Sequence, residues 1–152
     1  MIQKHVYDAW LADVRGHEPR ALELAYALAL TLPQQSETFL AGDAVLDDAS
    51  THLISTDVRD LMQFAYDRYD AFRDGLYHAV DLGNPAIFAF ERAREGERLL
   101  IVNNLARVSQ YAKFRAYAGM AGWDILNRVE FTFPPRAQLD AYEFLWLMVD
   151  EA

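Results

Sequence analysis

At Gly75 the hydrophobic period of this chain changes from 3.6 to 2. Before it, apolar residues recur at helical spacing; after it they alternate as in strands, so no single secondary-structure type accommodates the whole chain. Charge divides at the same place. Residues 1–75 hold 13 acids and 6 bases, residues 76–152 hold 10 acids and 8 bases, and the total is −9 over 152 residues. The pattern predicts an α+β chain in which about three helices, in a segment 1–75, pack with an antiparallel β domain, 76–152.

Residues 2–15 place Val6, Trp10, Leu11 and Val14 on one side, with Lys4, Asp8, Asp13 and Arg15 elsewhere and Gly16 as a stop. A second helix is expected from His17 or Glu18 to Leu32, with Pro19 in its first turn, where a missing N–H costs nothing, and Pro33 beyond its end. Its ALELAYALALTL run is apolar on every side, as in a helix buried all round. Residues 33–56 lose periodicity and read as a long loop with a short strand at 38–41. Ser55 or Thr56 caps a third helix over 57–74, with Val58, Leu61, Met62, Ala65, Tyr69 and Phe72 as its inward stripe.

After Gly75, segments 76–81, 86–94, 98–105, 110–117, 123–131 and 139–149 follow one another at hairpin distances, with turns at 95–97 and 118–122. Leu99 to Val102 is apolar on both faces, which suits a central strand. Such a series predicts a small β-sandwich or curled sheet.

Composition narrows the function. The chain has no cysteine, which removes disulfides, a thiolate nucleophile and any Cys-based zinc site. The acidic balance repels phosphate backbones and anionic bilayers, so neither nucleic acid nor membrane is an expected partner. The longest apolar run, 21–32, falls short of the roughly 20 residues that cross a bilayer, and the N-terminus lacks a secretion signal; a cytoplasmic location is the expectation. His5, His17, His52 and His78 form no H-x-x-x-H pair, Ser36, Ser50, Ser55 and Ser109 sit in no G-x-S-x-G turn, and the glycines are too dispersed to cradle a phosphate chain. No catalytic residue, metal or cofactor is therefore assigned. Asp43, Asp47 and Asp48 read as a solvated acidic loop without the alternating ligands of an EF-hand. Trp123, Tyr111 and Tyr117, near strand ends or turns, are the candidates for stacking on a sugar ring, with core packing as their ordinary role. Phe88, Phe90, Tyr142, Phe144 and Trp146 alternate within strands and are assigned to the core.

The ordered set NPAIFAFERAREGERLLIVNNLARVSQ, YAGMAGWDIL, FPP and AYEFLWL resembles domain C of the α-amylase superfamily (glycoside hydrolase family 13), the β-sandwich that follows its catalytic (β/α)₈ barrel. Trehalose synthases are the most similar members, with amylosucrases and α-glucosidases next. Upstream, ALELAYALALTLP is similar to the family's penultimate barrel helix, the 57–74 helix falls at the last one, and FLAGDAV is similar to the last barrel strand with its "YYGDE" end. There Leu40, Ala41 and Ala44 replace the two tyrosines and the glutamate, and Gly42 and Asp43 alone remain of the motif.

The resemblance places the family's catalytic carboxylates upstream of the region covered, so a glycosidase's pair of carboxyls, about 5–5.5 Å apart when retaining, has nothing to map onto. The implied function is a non-catalytic accessory, interaction or carbohydrate-binding protein that takes an α-glucan or disaccharide. The alternative is a segment or subunit of an α-glucan- or trehalose-metabolising glycosidase or glucosyltransferase whose catalytic residues lie elsewhere. Met1 ahead of a helix favours an independent chain. With a barrel missing around the apolar second helix, a homodimer through the helical half is expected to cover it.

Overall fold

The computed structural model describes residues 2–33, 46 and 48–150. Gly42, Asp43, Asp47 and the expected strand at 38–41 lie outside the described residues, and the side chain of Asp48 is likewise not described.

Helix α1 (Lys4–Arg15) buries Trp10, Leu11 and Val14, as its apolar spacing requires. Helix α2 (Pro19–Thr31) starts on Pro19, and the Glu18 carboxylate accepts the Ala21 N–H at 2.8 Å. Its Ala21, Leu22, Leu24, Ala25, Ala27 and Leu28 are at most 1% exposed. Because the other helices pack on α2, its apolar surface is covered inside the chain.

More helices form than the three expected. A short α3 (Asp48–His52) occupies part of the supposed loop, and the third helix is two pieces, α4 (Thr56–Arg68) and α5 (Ala71–Asp74). The break comes at Tyr69, whose backbone is extended (φ −110°, ψ 111°), and it is held from a distance: the Ala71 N–H donates to the Glu97 carboxylate at 2.8 Å. A remote partner of this kind leaves no local trace in the sequence. Met62, Ala65, Tyr69 and Phe72 point inward as expected, while Leu61 is 39% exposed.

The strands are β1 (Leu76–Val80), β2 (Ile87–Arg94), β3 (Glu97–Asn104), β4 (Gln110–Lys113), β5 (Ala121–Asp124), β6 (Val129–Thr132), β7 (Arg136–Leu139) and β8 (Phe144–Val149). Two expected segments each divide: 123–131 becomes the β5–β6 hairpin, and 139–149 holds the end of β7, a turn at Tyr142 (φ 59°) and β8. Tyr117 lies in a 3₁₀ turn rather than a strand. The main sheet is antiparallel in the order β1-β2-β3-β8-β5-β6, and β4–β7 forms a separate ribbon. Strand β3 lies between β2 and β8, which explains its two apolar faces.

Alternation along β3 divides the core into two. Leu99 and Ile101 join Phe90, Trp146 and the helices, whereas Leu100 and Val102 join Leu147, Phe114 and Leu139 under the β4–β7 ribbon. The result is three layers: helices, six-stranded sheet and ribbon. The helix-side core takes residues from both sides of Gly75.

Polar contacts fix the helices to the sheet. Arg92, on β2 and 1% exposed, donates to the carbonyls of Thr31 (2.8 Å), Phe72 (3.0 Å) and Gly75 (2.9 Å). At the other end, Asp13 of α1 accepts two bonds from Arg107, each 2.8 Å, and one from the Tyr142 hydroxyl. The Arg107 bonds hold the Asp13 carboxyl below the usual carboxylate range; burial opposes this and Tyr142 adds to it. A depressed folded pKa stabilises the fold above the unfolded value, near 3.9, and that stability is lost as pH falls through the folded value. Urea midpoints measured from pH 6 to 3 should therefore fall more steeply for the native chain than for Asp13→Asn, and equal slopes would remove Asp13 from the acid transition.

Candidate functional site

The β5–β6 hairpin is built to present Trp123. Gly122 lies so close to β8 that a Cβ there would meet the Met148 carbonyl at 2.4 Å, so only glycine permits this strand approach. The Asp124 carboxylate accepts the Asn127 backbone N–H at 3.0 Å and its side-chain amide at 2.9 Å, and the Arg128 N–H closes the turn on the Asp124 carbonyl at 2.8 Å. Arg128 itself adopts φ 58°.

Between this hairpin and α4 is a cleft of about 700 Å³, within the range of small-molecule sites. Leu61, Phe64 and Arg68 line it from α4, Trp123, Arg128 and Glu130 from the hairpin, and Asp150 from the end of β8. The Trp123 ring, partly exposed, enters no ring contact among the described residues, whereas Trp10 and Trp146 are fully buried. Phe64 is 54% exposed, with the Arg128 guanidinium 4.9 Å from its ring centroid. Among the described residues no ion pair or side-chain hydrogen bond engages Arg68, Arg128, Glu130 or Asp150. Arginines elsewhere, such as Arg92, Arg94, Arg98 and Arg107, are committed to carbonyls or carboxylates. An aromatic wall with two cations and two carboxylates that are in no ion pair among the described residues suits a neutral, hydroxyl-rich ligand: apolar C–H faces can stack on the ring, while hydroxyls both donate and accept.

The structure does not bring Tyr111 or Tyr117 to this cleft. Tyr111, on the ribbon, is 46% exposed with Arg136 4.7 Å above its ring. Tyr117 is 5% exposed; its hydroxyl donates to Glu91, and Phe133 and Arg98 cover its ring, so no sugar can stack on it. Burial, with Glu91 beside it, pushes the Tyr117 hydroxyl up. Phe64, Arg68, Arg128, Glu130 and Asp150 are the cleft residues that sequence reasoning missed. An aromatic off the inward stripe of α4 was the one available signal, and it concerned Phe64. Among the described residues no three His, Asp or Glu side chains gather as metal ligands, and no helix is long and apolar enough to cross a membrane.

Residues 77–146 match the family model of the maltogenic amylase C-terminal domain. That segment is similar to the C-terminal domain of maltogenic amylases. The solved structures that this chain resembles have the same fold. An AmyP variant in complex with maltotriose aligns at 12% identity and TM-score 0.58 over 86% of this chain and 35% of that one. An Anoxybacillus α-amylase aligns at 14% and 0.59 over 88% and 33%. A maltogenic amylase from S. marinus aligns at 18% and 0.59 over 86% and 19%. This chain thus spans about a third or less of the amylases it matches. No curated protein is significantly similar in sequence. The amylase-type domain supplies the sheet, the ribbon and one wall of the cleft; α4 supplies the other wall.

Proposed function

We propose that this chain serves α-glucan metabolism as a non-catalytic accessory element that binds a maltooligosaccharide between α4 and the β5–β6 hairpin. The observation that carries this is the partly exposed Trp123 ring in a cleft of about 700 Å³ whose four charged side chains are in no ion pair among the described residues. AmyP, a structural neighbour, has been solved with maltotriose and with maltose, which agrees with a sugar of that class. Within the superfamily the motif order favours kinship with trehalose synthases, and the expected location is cytoplasmic. Among the described residues of the helical half, Leu53, Leu61 and Phe64 are the large apolar side chains that a homodimer would cover, and most of α2 is already buried, so the sugar is the favoured partner. The second reading, a segment of a glycosidase or glucosyltransferase whose catalytic residues lie elsewhere, is favoured by the third or less of each amylase that this chain spans.

Tryptophan fluorescence tests the binding directly, because Trp10 and Trp146 are fully buried and Trp123 alone can report on the cleft. Titration with maltotriose or maltoheptaose should give a saturable change in the millimolar range, weakened about tenfold or more by Phe64→Ala, and calorimetry, which does not depend on the Trp123 signal, should show binding lost in Trp123→Ala. A flat response to sugar sinks the carbohydrate reading. Maltose, trehalose and sucrose should all survive incubation with the chain, and sustained turnover would overturn the non-catalytic one.

A further inference from the structure

The outward face of the β4–β7 ribbon, remote from the cleft, concentrates positive charge in a chain of net charge −9. Ala112 and Leu139 point inward and are fully buried, so Tyr111 and Lys113 of β4 and Arg136 and Gln138 of β7 face outward. Lys113 and Arg136 are direct cross-strand partners, and like charges placed opposite each other destabilise a sheet. A third cation joins them. A Cβ on Gly83 would lie 2.9 Å from Arg115 Nη2 and 3.1 Å from Lys113 Cδ, so both side chains lie across this glycine, whose φ of 76° favours its having no side chain. None of the three cations is in an ion pair among the described residues. The neighbouring acid, Asp81, turns its carboxylate to the Gly83 N–H at 2.8 Å. Arg136 also lies over the half-exposed Tyr111 ring. The arrangement is costly by itself, and an oxyanion held among the three cations would remove the cost.

We propose that Lys113 and Arg115, over the Gly83 floor, together with Arg136 opposite Lys113 on the ribbon, form a binding site for the phosphate group of a small molecule, with Tyr111 beside it to contact the remainder of a phosphorylated sugar. The acidic field of the helical half disfavours a polyphosphate chain but interferes little with a single small dianion at a local cation cluster.

Two linked results test this. In chloride, Lys113→Gln/Arg136→Gln should melt at or above the native temperature, because repulsion is removed; a large drop would show that the pair is structural and overturn the site. Calorimetric titration of the native chain with inorganic phosphate at constant ionic strength should show millimolar binding, weakened about tenfold or more in the double variant. Melting shifts separate this from general salting: phosphate excluded from protein surfaces stabilises native and variant chains alike, and equal shifts overturn the proposal. Glucose 6-phosphate binding more tightly than phosphate, with glucose inert, assigns a sugar phosphate; equal affinities assign free phosphate. A glutamate-rich peptide binding more tightly than either overturns the small-molecule assignment.

Discussion

Replacing Arg92 by alanine is expected to cost about 3–5 kcal/mol, because the change leaves a cavity and takes the donor from two buried carbonyls and one partly buried carbonyl at once. The guanidinium is 1% exposed and receives the chain ends of two helices: Thr31 is the last residue of α2, and Phe72 and Gly75 lie in and just after α5. Helix C-termini carry partial negative charge and unsatisfied carbonyls, so a planar cation with a fork of donors is suited to the place. Burial lowers the guanidinium pKa, opposed by Tyr66 and Asp74, yet arginine starts high enough to remain charged. A chain of this length loses about 2–4 °C in melting temperature per kcal/mol, so Arg92→Ala should melt about 10 °C lower. Arg92→Lys should fall between, since one ammonium cannot reproduce the fork. A loss below about 1 kcal/mol in urea unfolding would show that the helices are held to β2 by apolar packing alone.

The second large effect is at Trp146 on β8, which is fully buried with Phe72 5.1 Å away, ring to ring. Removing it by Trp146→Ala is expected to cost about 3–5 kcal/mol, as for large aromatic truncations in close-packed cores. Its indole Nε1 has no hydrogen-bond partner in the structure. The ring therefore contributes through packing and not through its N–H, and Trp146→Phe should cost less than about 1.5 kcal/mol. Equal losses for the two variants, measured as unfolding free energies, would assign a polar role to the indole nitrogen.

Much of the architecture was legible beforehand for identifiable reasons. The start of α2 was marked by Pro19, and β3 was marked as central by an apolar run on both faces. The break between α4 and α5 was not legible, because Glu97, 26 residues beyond Ala71, makes it. Nor was the division of 123–131 into a hairpin, which depends on Asp124 accepting from Asn127 and on Arg128 adopting φ 58°. Of the proposed sugar site, Trp123 alone stood out in the sequence. Tyr117 had the same local credentials, and the fold closed it under Phe133 and Arg98.

What the sequence by itself determined is what local and periodic forces control: the helix-to-strand change at Gly75, the amphipathic faces, the caps and the motif order that marks an amylase C-terminal domain. Tertiary structure alone decided which surfaces remain available. It buried α2 inside the chain, set Phe64 across a cleft from Trp123 and paired Lys113 with Arg136. Exposure and charge proximity depend on contacts between residues far apart in the chain, and no periodicity within a segment encodes which distant segment will cover it.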